Sequence, residues 1–122
     1  MAGAKIEVSL DEDRRIVRQR IDGDLLGDDF LRLESETARL VQDLIDPKDV
    51  RILVDSRLMG KTDSRARREM LRAVGRPNLQ RIAGVGSRPI SRVLTRFLIA
   101  VTGTNKVRLF DDEKQAIEWL LS

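Results

Sequence analysis

The run Ile52-Leu53-Val54, closed by Asp55, constrains this chain more than any other stretch. Three consecutive bulky apolar residues leave a strand no polar face, so both of its sides must be covered by other elements. Such a strand belongs inside a mainly parallel sheet with helices packed on it. A polar segment containing Gly60 follows, then Thr62-Asp63-Ser64, three good N-cap residues, then the helix-forming run Arg65 to Ala73. The stretch therefore reads strand, loop, helix. In open α/β sheets, ligands and partners meet the edge where strands end and helices begin, which makes Asp55 to Arg68 the expected functional edge.

The rest of the chain fits around that strand. Lys5 to Leu10 alternates apolar Ile6, Val8 and Leu10 with polar neighbours, and Arg15 to Ile21 resumes a strand pattern after the turn Asp11-Glu12-Asp13. These two form a hairpin that Gly23 ends. Asp28-Asp29 places negative charge at the start of a helix whose apolar face is Phe30, Leu33, Thr37, Leu40, Val41 and Leu44, with Pro47 as its stop. Beyond the turn Gly75-Arg76-Pro77-Asn78, Arg81 to Val85 is a short strand. Ile90, Val93, Leu94, Phe97, Leu98 and Val101 then give a helical stripe that should pack on the sheet, capped by Gly103. Lys106 to Phe110 is the last strand. Asp111-Asp112 caps a closing helix that turns Ala116, Ile117, Leu120 and Leu121 inward. The order β-β-α-β-α-β-α-β-α predicts an α/β fold, a single five-stranded mixed sheet flanked by about four helices, with residues 1–122 as one domain.

Composition excludes much chemistry. With no Cys and no His, disulfides, thiolate zinc sites, cysteine nucleophiles and the usual general base are all absent. No apolar run approaches the roughly 20 residues of a membrane span, and the amino-terminal MAGAKIEVSL is not a leader, so a cytoplasmic protein is expected. Charge is uneven. Residues 1–50 carry 8 basic and 13 acidic side chains, 51–108 carry 14 and 3, and 109–122 carry 1 and 4. A basic middle suits an anionic partner. Equally, acidic helices from both ends can fold against it and cancel its field. The aromatics Phe30, Phe97, Phe110 and Trp119 are too few for a single-strand stacking platform, so nucleic acid is not the expected partner.

Candidate sites are few. Gly60-Lys61-Thr62 sits where a phosphate loop would, but the glycine required five residues earlier is Asp55. Gly84-Val85-Gly86-Ser87 precedes a helix and could cradle an anion, with Gly86, Ser87, Arg88 and Arg92 as the binding set; a tight strand-to-helix turn explains it as well. Arg88, Arg92 and Arg96 stand four apart and serve equally as the solvated back of a helix. Asp55 and Asp63 could meet as a carboxylate pair, although a strand-end Asp and a helix cap account for them.

The stretches DEDRRIVRQRIDGD, VRILVDSR, SRARREM and TNKVRLFDDEKQAIEWL, in that order over nearly the whole chain, resemble the SpoIIAA-like proteins, bacterial STAS/SEC14-domain proteins. The resemblance implies a compact α/β domain, non-enzymatic, serving as a regulatory or protein-interaction module. In the anti-sigma-factor antagonists of this superfamily a serine at the start of the second helix is phosphorylated by a partner kinase. The matching place here is Thr62-Asp63-Ser64, so Ser64, Thr62, Asp63 and Asp55 form the candidate phosphorylation or partner-binding set. Where the antagonists have Asp-Ser-Ser-Gly, this chain continues from Asp63-Ser64 into Arg65-Ala66. The SEC14 branch binds lipids in a larger apolar cavity, for which so short a chain has little spare apolar surface.

The first expectation is therefore a regulatory module with a protein partner, with room for a homodimer, no enzymatic activity and no cofactor. A small-molecule or lipid-binding protein with its ligand at the sheet edge is the alternative. Anion or nucleic-acid binding through the arginines is the weaker third.

Overall fold

A computed structural model describes residues 3–122. The elements are β1 (Lys5–Leu10), β2 (Val17–Leu25), α1 (Gly27–Val41), β3 (Val50–Thr62), α2 (Ser64–Val74), β4 (Leu79–Val85), α3 (Pro89–Thr102), β5 (Val107–Phe110) and α4 (Glu113–Leu120). One sheet holds the strands in the order β1-β2-β3-β4-β5. The β1–β2 hairpin is antiparallel and every later pairing is parallel. This is the expected fold class and element order.

Sequential strand order has a direct consequence. Each of the three crossovers steps one strand in the same direction, and right-handed crossovers then place α1, α2 and α3 on one face of the sheet. The other face is left to α4, which packs Ala116 and Leu120 with Ile16, Leu53, Ala83 and Val85. Strand alternation sorts the side chains accordingly. Leu53 faces α4, while Ile52 and Val54 pack with the clusters on the opposite side. Arg51 and Arg81 reach past α4's end to donate to the carbonyls of Leu120 and Trp119, completing groups a helix C-terminus leaves open.

Four features differ from the sequence pattern, three of them boundaries. β2 continues through Gly23, at φ +102, to Leu25. β3 continues past Asp55 to Thr62, so Gly60 lies in a strand and not in a loop. The cause is shared: β2 pairs with β3 along this whole length, with register shifts between Arg20 and Asp22 and again between Gly23 and Leu25. Such bulges let irregular, polar sequence stay in a ladder. α1 ends at Val41, before the expected stop at Pro47. Turns cover the gap, and Leu44 is still buried.

The fourth difference concerns α3. Its only buried residue is Ser91, while Val93, Phe97 and Val101 are exposed at 65%, 36% and 57%. Ser91, Leu94, Thr95 and Leu98, spaced as one helical face, point inward, so of the apolar stripe read from the sequence Leu94 and Leu98 meet the sheet side while Val93, Phe97 and Val101 turn outward. A three-residue link, 86–88, joins β4 to α3. Gly86 is buried in it, with its N–H on the Phe110 carbonyl at 2.9 Å.

Candidate functional site

The expected edge forms where α1 and α2 begin side by side. Asp63 is the N-cap of α2, its Oδ1 accepting from Ala66 N–H at 2.8 Å. Its Oδ2 accepts from Gly27 N–H, the first of α1, at 3.2 Å. The two helix starts are tied again by the Arg65–Asp28 ion pair at 2.7 Å. Gly27 is the residue that permits this approach, because a Cβ there would lie 2.6 Å from the Arg65 side chain. Backbone donation from Ala66, the largest influence, and from Gly27 holds the Asp63 carboxyl below its usual range.

Ser64 is the first residue of α2 and exposed. Thr62 closes β3, with its carbonyl and hydroxyl both accepting from Arg67 at 2.6 and 3.2 Å. Asp55 stands elsewhere. It marks the last β3–β4 pair, opposite Val85, and is bound through both oxygens by Arg57 at 2.9 and 2.8 Å. That hydrogen-bonded guanidinium holds its carboxyl low. Seven residues of extended strand, roughly 3.3 Å each, separate it from Asp63, so the two carboxylates form no pair.

At the β4–α3 turn, Gly86 serves packing. Its N–H is engaged, and a Cβ would fall 2.9 Å from Ser56 Oγ. Ser87, Arg88 and Arg92 are exposed, and Arg88 Nη1 donates to the Met59 carbonyl at 3.3 Å. The basic middle meets the acidic amino-terminal part in the pairs Arg65–Asp28 and Arg76–Glu34, so its field is partly cancelled. Among the described residues no group of three acidic side chains could hold a metal ion, and no helix is long and apolar enough to cross a membrane.

An apolar concavity lies elsewhere, between the sheet and α1, α2 and α3. It is a cleft of about 460 Å³ with Ile52, Val54, Phe30, Leu33, Leu94 and Leu98 among its apolar walls. The expectation of too little apolar surface for a cavity is thus corrected. α3 keeps its bulkiest groups outside and covers the sheet at the short strand β5 without filling the space. Polar groups are few: Gln19 and Thr37 bond each other at 2.9 Å, and the half-buried Glu34 pairs with Arg76 at 3.2 Å. Burial pushes the Glu34 carboxyl up, against the opposing pull of Arg76. Ser91 Oγ is buried with no hydrogen-bond partner among the described residues. None of these residues stood out in the sequence, although a serine and a threonine one turn apart beside Leu94 and Leu98 were the available signal.

Residues 16–121 match the family model described as SpoIIAA-like. No curated protein matches the chain in sequence. Solved structures share its fold, three of them as follows. An uncharacterized protein with a SpoIIAA-like fold from Shewanella loihica PV-4 aligns with TM-score 0.69 and 18% identity, over 97% of this chain and 93% of its own. An anti-sigma factor antagonist from Mycobacterium paratuberculosis gives TM-score 0.65 and 16% identity, over 98% and 96%. The anti-sigma factor antagonist SpoIIAA, in its unphosphorylated form, gives 0.59 and 16%, over 97% and 99%.

Proposed function

This chain belongs to the SpoIIAA-like family, and from that premise we propose that it is a regulatory module acting by binding another protein and not by catalysis. The observation that carries this reading is Ser64, exposed as the first residue of α2 directly after the Asp63 cap. A phosphate there adds about −1.5 to −2 charges at a helix N-terminus, where negative charge is favoured. The first turn of α2 has no acidic residue of its own, and exposed Arg68 lies one turn on. Modification at Ser64 therefore changes the charge of the face offered to a partner without straining the fold. The partner is a protein, as for the antagonists that share this fold. Affinity capture from the native host with wild type, Ser64→Ala and Ser64→Asp tests this. Ser64→Asp should lose the partner that wild type and Ser64→Ala both retain. Retention by all three, with no phosphate at Ser64 or Thr62 under any growth condition, overturns it.

The cleft supports a second reading, an apolar small-molecule or lipid-binding protein. Its volume is that of ordinary ligand sites, with mostly apolar walls and a few polar groups. On this reading the ligand lies across the sheet face beneath α3 instead of at the sheet edge. Saturable binding of an apolar fluorescent probe, lost when Leu94→Trp fills the cleft, tests it.

A further inference from the structure

Three hydroxyl side chains on α3 behave differently. Thr95 Oγ1 donates to the Ser91 carbonyl at 2.8 Å and Thr102 Oγ1 to the Leu98 carbonyl at 2.6 Å, the back-bonding available to a helical hydroxyl. Ser91 sits in the first turn, so the residue four before it, Ser87, lies outside the helix. Its Oγ therefore has no such acceptor. At 2% exposure it is also cut off from bulk water, and it lines the cleft with no partner among the described residues. A buried hydroxyl left unpaired is costly, and a ligand oxygen would complete it.

The surroundings indicate which oxygen. Arg88, the N-cap of α3, is three residues from Ser91, which makes them neighbours on the helix. Its guanidinium donates to the carbonyl of Met59, itself a cleft residue, so a positive charge stands beside the same end. The first turn of α3 holds no acidic residue. Helix start, guanidinium and orphaned hydroxyl together favour a carboxylate. Away from this end the floor is formed by Val54, Ile52 and Val50 of β3, alternate residues leading back along the strand. From Ser56 to Val50 it extends about 20 Å at the rise of a strand, a length suited to a linear chain.

We infer that the cleft binds a long-chain monocarboxylic acid, its carboxylate accepting a hydrogen bond from Ser91 Oγ beside Arg88 and its alkyl chain lying along β3. This rests on the apolar-ligand reading above and names its ligand class and anchor.

The test uses the full chain freed of co-purified lipid, with a fluorescent polyene fatty acid displaced by palmitate or by methyl palmitate. Palmitate should displace the probe about tenfold more tightly than the ester, because a hydrogen bond to a charged group is at stake. In Ser91→Ala that preference should shrink to about threefold or less, while the melting temperature of the unliganded protein holds or rises, since an unpaired hydroxyl is removed. Arg88→Gln should weaken palmitate and spare the ester. If neither compound nor the probe binds a protein shown to be folded, the apolar-ligand reading falls, and this inference with it. If both bind equally, or Ser91→Ala leaves the preference intact, the carboxylate anchor is wrong and the apolar site stands without it.

Discussion

The carboxylate of Asp63 accepts the first backbone N–H of α1, that of Gly27, 36 residues earlier in the chain. One side chain thereby caps α2 and supports the start of a second helix. Asp63→Ala opens both ends at once, and its melting temperature should fall by several degrees. Ser64→Ala, one residue on but exposed and outside the cap, should change stability by no more than about 0.5 kcal/mol. The titration has a definite sign. Because Asp63 has its carboxyl held below 3.8, its contribution is present above that pH and is lost as pH falls through the lowered value. Asp63→Asn should blunt the acid limb of a stability–pH curve measured by thermal melts.

Glu34 predicts the opposite slope. Burial raises its carboxyl above 4.5, so the folded state holds the proton longer than the unfolded chain. The associated stability is full below pH 4.5 and is lost as pH rises through the raised value. Glu34→Gln should abolish that decline. Arg76→Gln removes the opposing cation and should raise the Glu34 titration midpoint further, as read by carboxyl-carbon NMR.

Core and lid positions should separate cleanly in alanine substitutions. Leu33 and Leu53 are each 2% exposed, on opposite faces of the sheet, and either change to alanine should cost about 2–5 kcal/mol by denaturant unfolding. Phe97→Ala, on the outer side of α3, should cost less than about 1 kcal/mol despite the larger side chain. A large loss at Phe97 would mean that the helix turns its apolar stripe inward after all.

Gly86 and Ser56 should prove coupled. A methyl at 86 would sit 2.9 Å from Ser56 Oγ, so Gly86→Ala should destabilise by about 1–3 kcal/mol through overpacking. Adding Ser56→Ala relieves the contact, and the double variant should be more stable than the sum of the singles predicts.

Much of the architecture was legible because it is written locally. The all-apolar Ile52-Leu53-Val54, the alternation from Lys5 to Leu10 and the caps Asp112 and Gly103 each report on a few neighbouring residues, and each of these patterns lies in or caps the expected element, although β3 runs further than its own. Element order then constrained topology, since short right-handed crossovers leave few sheets to choose from.

What only the tertiary structure decided depends on partners distant in sequence. Leu58 to Thr62 lack a strand's alternation, and they extend because bulged β2 runs beside them. Thr62, Asp63 and Ser64 are comparable caps by residue type, and the approach of α1 selects Asp63 by giving it a second donor. The α3 pattern revealed an apolar stripe without revealing which way it faces. Periodicity measures the spacing of apolar residues along a helix, whereas burial depends on the surface the helix meets, here a cleft that leaves Phe97 outside and encloses Ser91.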